Sequence, residues 1–215
     1  MTKFLYIIIS LIFIVSSSSR LLAKPVSIDE LKKIQSNLKS FNTLSVNFTQ
    51  KRFIATQPKL PRSAMGTLKI SQPMFRYTIK KKPSVEWIYD GTNLFQYYPE
   101  QNEALKFPAN KGLTGEIEEI VEIFLNSNVL FEKYSVVKSD LNKEELFLKL
   151  KPKKESETTE IDINMDTGKN IIKNMVLYFK DKNKTEFVFN NPSKEQIKSG
   201  VFSLDKSVKI KDALK

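Results

Sequence analysis

The side chains able to do covalent or proton-transfer chemistry are few in kind. The chain has no cysteine and no histidine, which excludes Ser/His/Asp and Cys/His nucleophilic systems. The commonest general base and the commonest transition-metal ligand are missing together. A metal would need clustered carboxylates, and no such spacing occurs, so neither a metal nor a cofactor is expected. With 24 Asp and Glu residues a carboxylate pair stays open in principle, but none has a suggestive setting. Asp90 precedes Gly91 and reads as a turn residue. Asp162 lies between Ile161 and Ile163 in a strand pattern and is expected to face solvent. The chain is not expected to be an enzyme. The richer resource is aromatic: 15 Phe, 7 Tyr and 1 Trp, whose chemistry is the burial of apolar surface.

These aromatics concentrate in one stretch, from Gly66 to Pro99. It alternates apolar and polar residues with the two-residue period of half-buried strands. Leu68 and Ile70 share a face, as do Phe75, Tyr77 and Ile79, and then Val85, Trp87 and Tyr89. Pro73, Pro83 and the Asp90-Gly91 pair fall between the runs, where turns form. The spacing predicts short antiparallel strands with one aromatic wall, which a second layer must cover.

The remaining elements supply little cover. Ser27 and Glu30 fit a capping box, and Ile28, Leu31, Ile34, Leu38 and Phe41 follow as the apolar stripe of a first helix. Leu44 to Phe53, with Val46 and Phe48 on one side, reads as the first strand. Thr56 to Ser63, polar with two prolines, reads as a long hairpin connection. After a short strand at Ala104 to Phe107 comes a loop and then Glu116 to Asn126. There Ile117, Ile120, Val121, Phe124 and Leu125 make a second amphipathic helix, with three glutamates in its first turn. It suits a lid and equally a helix that plugs an open sheet. Strands resume from Phe131, at 134–138, 146–150, 159–165, 171–180, 185–189 and 201–210. The sum is one mainly β domain, a curled sheet of about ten strands with two short helices. So large a sheet under so few helices predicts unfilled apolar space, where a hydrophobic ligand would bind.

The N-terminus is a separate unit. Lys3 precedes an apolar run from Phe4 to Val15 and a serine cluster. About 20 residues are needed to span a bilayer, so this reads as an export signal cleaved after Ala23, leaving a mature domain of 24–215. Without Lys3 and Arg20 the chain carries 33 basic and 24 acidic residues, a net charge of +9. The lysines alternate along strands rather than clustering, so a solvated basic surface and an anionic partner are both consistent with it.

Phe48-Thr49-Gln50, Gly66-Thr67-Leu68, Pro73-Met74-Phe75-Arg76-Tyr77, Asp90-Gly91 and Tyr98-Pro99 fall in the order and spacing of a known family. The chain resembles the LolA family of periplasmic lipoprotein carriers. The resemblance extends to the signal peptide, the helical insertion and the tail from Val201 to Ile210. It implies an unclosed, strongly curved antiparallel β half-barrel of ten or eleven strands, with short α-helices as a lid over an apolar cavity. It also implies a periplasmic monomer that takes lipoproteins by their acyl chains from an inner-membrane transporter complex. Delivery would be to the outer membrane and to a receptor there. The cavity wall would be Phe48, Leu68, Ile70, Phe75, Tyr77, Trp87 and Tyr89, and the lid face Ile117, Ile120, Val121 and Phe124. The family often places Arg immediately before the Pro of the Pro73-Met74-Phe75-Arg76-Tyr77 motif, where it latches the lid; here the latch candidate is Gln72, able to bond a carbonyl without charge. Alternatives are an amphiphile or glycolipid sensor of the same fold, a carboxylate hydrolase, and a Lys-rich binder of anionic surfaces.

Overall fold

The computed structural model describes residues 26, 27, 29, 31, 32, 36, 42–108, 113, 115–125 and 130–213. The export signal and most of the first helix, including Ile28, Ile34, Leu38 and Phe41, lie outside them. Of that helix, positions 29, 31, 32 and 36 are helical and Leu31 is buried.

Twelve strands form one sheet: β1 (Thr43–Ile54), β2 (Gln57–Ser71), β3 (Met74–Ile79), β4 (Val85–Tyr89), β5 (Leu94–Tyr98), β6 (Glu103–Phe107), β7 (Tyr134–Asn142), β8 (Glu145–Pro152), β9 (Thr158–Asp166), β10 (Ile171–Phe179), β11 (Lys184–Ser193) and β12 (Lys209–Asp212). Their order is β12-β6-β5-β4-β3-β2-β1-β11-β10-β9-β8-β7. All neighbours are antiparallel except β12 beside β6. Two hairpin ladders, β1 to β6 and β7 to β11, are joined where β1 pairs with β11. The sheet does not close on itself; it is an open, curved half-barrel. Local signals set the turns. Asp90 Oδ1 accepts from the Thr92 and Asn93 amides at 2.8 and 2.7 Å, which makes Asp90 a turn former.

Connectivity decides what covers each face. Strand β6 lies next to one edge and β7 is the other edge, so the segment between them must cross the whole sheet. Its helix (Gly115–Leu125) and a one-turn helix (Leu130–Lys133) lie on the inner face. The chain then leaves β11 at the centre and returns to β6, so residues 194–208 cross the outer face. Arg76 lies on that outer face, away from Phe75 and Tyr77. Its Nη1 donates to the Val201 carbonyl at 2.9 Å, and Nε donates to Glu86 at 2.7 Å. Ile88, Phe95, Ala104, Phe202 and Val208 are buried apart from the main core, as a small outer core beneath this strap.

Three expectations change. The connection at Thr56 to Ser63 is strand: β2 begins at Gln57, and Ile54 pairs with Gln57 across a tight turn, with a bulge after Arg52. Both prolines sit in this irregular pairing, where a missing amide is tolerated. The closing strand is only Lys209–Asp212, because Ser199–Phe202 forms a 3₁₀ turn that anchors Phe202. Asp162 does not simply face solvent: it pairs with Lys149 at 3.1 Å and accepts from the Tyr178 hydroxyl at 3.2 Å.

Candidate functional site

Strict alternation puts the wall residues on one face. Val46 pairs with Leu68, Leu68 with Tyr77, and Tyr77 with Trp87; alongside, Ile70 pairs with Phe75 and Phe75 with Tyr89. Six of the seven expected wall residues are buried in one cluster, and Tyr89 is half-buried against it. Phe48 stacks on Tyr77 at 4.9 Å. The stack needs Gly66, which pairs with Phe48: a Cβ there would sit 2.2 Å from the Phe48 ring and 2.2 Å from the Thr78 carbonyl. Strand β11 extends the wall with Phe187 and Phe189, whose alternation with Thr185 was visible in the sequence but outside the aromatic stretch.

The crossing helix buries Ile120, Val121 and Ile123, with Ile117 and Phe124 half-buried against the same cluster. Phe124 meets Phe189 edge-on at 5.1 Å. Ile123 is the inward residue absent from the sequence-derived lid face.

Polar fastenings hold this helix at three levels. Near its start, Glu116 accepts from Gln50 Nε2 at 2.8 Å and from Thr185 Oγ1 at 3.0 Å. One turn on, buried Glu119 accepts from the Tyr134 hydroxyl and, at 3.4 Å, from Ser156 Oγ. At its C-terminus Gln72 Nε2 donates to the Leu125 carbonyl at 3.3 Å, in an exposed setting. The glutamates read from sequence as complements of the helix dipole. Glu116 lies four residues before Ile120 and Glu119 four before Ile123, a spacing that was the signal that they also point inward.

Burial and the nearby Glu116 charge push the Tyr77 phenol well above its ordinary pKa, and burial plus the Glu119 bond do the same for Tyr134. Burial, then the Glu119 and Glu122 charges, raise Glu118. Among the described residues Tyr77 OH and Gln50 Oε1 have no hydrogen-bond partner, an arrangement that costs about 1–3 kcal/mol per group.

Among the described residues, the side chains of the crossing helix occupy most of the space between it and the aromatic wall. The apolar cleft between Leu44, Val46, Ile70, Ile123, Phe124 and Ile172 holds about 30 Å³, room for a water or two and not for a hydrocarbon tail. A shallower groove of about 340 Å³ follows the helix's C-terminal half, between Pro73, Phe75, Tyr89, Leu113, Val121 and Leu125, with Gln72 beside them.

An open half-barrel whose aromatic inner face is closed by a helix fastened at both ends defines the class. The chain belongs to the LolA family: the model for outer membrane lipoprotein carrier protein LolA matches residues 39–205. Comparison with curated proteins gives no match. Among solved structures the chain is similar to an uncharacterized conserved protein of Thermus thermophilus, with 7% identity, 84% of this chain and 98% of that one covered, and a TM-score of 0.55. It is also similar to a LolA superfamily protein of Nitrosomonas europaea, with 9% identity, 83% and 98% covered, and a TM-score of 0.47. Among the described residues no helix is long and apolar enough to cross a membrane.

Proposed function

We propose that this chain is a periplasmic carrier, not an enzyme. It would bind the acyl chains of lipoproteins released from the inner membrane and deliver them to the outer membrane, working as a monomer between a transporter complex and a receptor. The acyl chains lie on the wall of Phe48, Leu68, Ile70, Phe75, Tyr77, Trp87 and Tyr89 after displacing the helix face of Ile117, Ile120, Val121 and Phe124. Gln72 is the exposed latch. Export by the N-terminal signal brings the mature domain, 24–215, to its compartment.

The observation that carries this reading is the helix itself: it fills the inner face, yet it is tied down by bonds that can be exchanged. Burying Ile120, Val121 and Ile123 contributes roughly 5–9 kcal/mol at about 1.5–3 kcal/mol each. A fully sheltered 16-carbon chain contributes about 12 kcal/mol at ~0.8 kcal/mol per CH₂. The surplus, roughly 3–7 kcal/mol, corresponds to a dissociation constant between several millimolar and about ten micromolar for one chain. Displacement thus solves the release problem, since a preformed cavity would hold even one tail at about nanomolar strength. Lifting the helix also exposes the unpartnered Tyr77 hydroxyl and Gln50 carbonyl to water or to a ligand ester.

The test is release of lipoproteins from spheroplasts by the exported protein, with mass spectrometry of what it carries. The reading predicts lipoproteins in the soluble fraction bound one-to-one to this chain. Amphiphile binding without any release would instead mark a sensor, and neither binding nor release would end the reading.

A further inference from the structure

The lysines that alternate harmlessly along the sequence are gathered by the strand order. The β1–β2 tip, the β3–β4 turn and the β10–β11 turn all lie at one end of the sheet. The Lys80 amide donates to the Met65 carbonyl at 2.8 Å, and the Ala55 amide to Asn183 Oδ1 at 2.8 Å, which tie the three together. Residues 57–65 of β2 extend beyond β3, whose pairing with β2 stops at Gly66, so the hairpin projects on that side.

Lys51, Arg52, Lys59 and Arg62 on the hairpin, and Lys80, Lys81 and Lys82 in the turn, are all exposed. None of them makes a close ion pair among the described residues, although Lys82 lies near enough to Glu100 to lower its carboxyl pKa, after the hydrogen bonds from Ser84, and Lys51 is opposite Glu186, itself bridged to Lys184; no Asp or Glu occurs between Glu30 and Glu86. Arg52 and Arg62 are directly opposed across the ladder, a like-charge pair that is unfavourable until an anion lies between them. On the projecting hairpin, next to Lys59 in the chain, Leu60 is 72% exposed, and Met65, whose carbonyl accepts from the Lys80 amide, is 65% exposed.

We propose that this end of the half-barrel docks on a bilayer surface rich in anionic headgroups, with Leu60 entering the interface. The cations account for attraction to any polyanion. A bare leucine next to Lys59 and two residues before Arg62 is what distinguishes a lipid interface, where charged heads and apolar tails are met together. An acidic protein or nucleic acid offers the first without the second. Docking uses neither the aromatic wall nor the lid, so it stands or falls separately from acyl-chain carriage.

The experiment is co-sedimentation of the mature chain with vesicles of phosphatidylethanolamine and phosphatidylglycerol, against vesicles of phosphatidylcholine alone. Binding is expected only to the first, and added salt weakens it as the Debye length shrinks. Replacing Lys80, Lys81 and Lys82 together by Gln lowers the partition coefficient roughly a hundredfold, and Leu60→Gln lowers it roughly tenfold. Circular dichroism and retained binding of a soluble fatty-acid probe verify that each variant is folded and that carriage is intact. Absence of binding, equal binding to both vesicle types, or full binding by both variants overturns the proposal. So does capture of heparin or polyglutamate without capture of vesicles.

Discussion

The Gln72 side chain reaches the Leu125 carbonyl at 3.3 Å and so joins the β2–β3 turn to the last residue of the crossing helix. A neutral amide at an exposed helix C-terminus forms a weak tie. Gln72→Arg places a cation on the negative end of the helix dipole and can make a charge-assisted bond. It should strengthen closure and raise the dissociation constant for a fluorescent fatty acid about threefold to tenfold. Gln72→Ala should lower it about twofold. Equilibrium titration with the probe measures both.

The Phe48–Tyr77 stack fits only because Gly66 carries no side chain. In Gly66→Ala the new methyl meets a ring and a strand carbonyl, and the backbone must give way. A loss of about 1–3 kcal/mol is expected, read as a lower midpoint in urea unfolding with unchanged slope.

Glu116 holds two buried donors, Gln50 Nε2 and Thr185 Oγ1. Glu116→Ala leaves both without an acceptor and should cost about 1–3 kcal/mol, while binding of a hydrophobic probe becomes faster as the helix loosens. Glu116→Gln keeps one acceptor oxygen and should fall between. Stopped-flow probe fluorescence gives the rates and urea unfolding the stabilities.

Tyr77 and Tyr134 are both raised above the ordinary phenol pKa in the folded chain. Each therefore binds its proton more tightly folded than unfolded. Their contribution is fully present below about pH 10, the unfolded value, and is lost as pH rises beyond it. Ultraviolet titration should show these two tyrosines resisting ionisation until the fold opens at alkaline pH, and Tyr77→Phe should delay that opening.

How much of this was legible in the sequence depended on range. Strands β4 and β5 occur at the residues where alternation and turn residues placed them, because both signals are local. The start of β2 was misread because Pro58 and Pro61 signal a loop, and only the bulge in pairing with β1 explains why a strand tolerates them. Of the alternating run from Val201 to Ile210 only the end is strand, since residues 199–202 form a 3₁₀ turn that buries Phe202. The wall and the helix stripe were readable from periodicity. How far the space is filled was not, because that depends on volumes brought together from distant elements, such as Ile120 and Ile123 against the wall. The basic end was invisible for the same reason, because only the strand order brings the β1–β2 and β3–β4 connections to one end of the sheet.

Trp87 offers the most direct test. It is the single tryptophan, buried in the wall and 5.7 Å from Phe107. Titrating the mature chain with a fatty acid brominated along its tail should quench Trp87 fluorescence saturably, more steeply in Glu116→Ala and less steeply in Gln72→Arg. Trp87 emission unchanged at concentrations where the brominated lipid is shown to bind would contradict the account, because the tail would then lie somewhere other than the inner face beneath the helix.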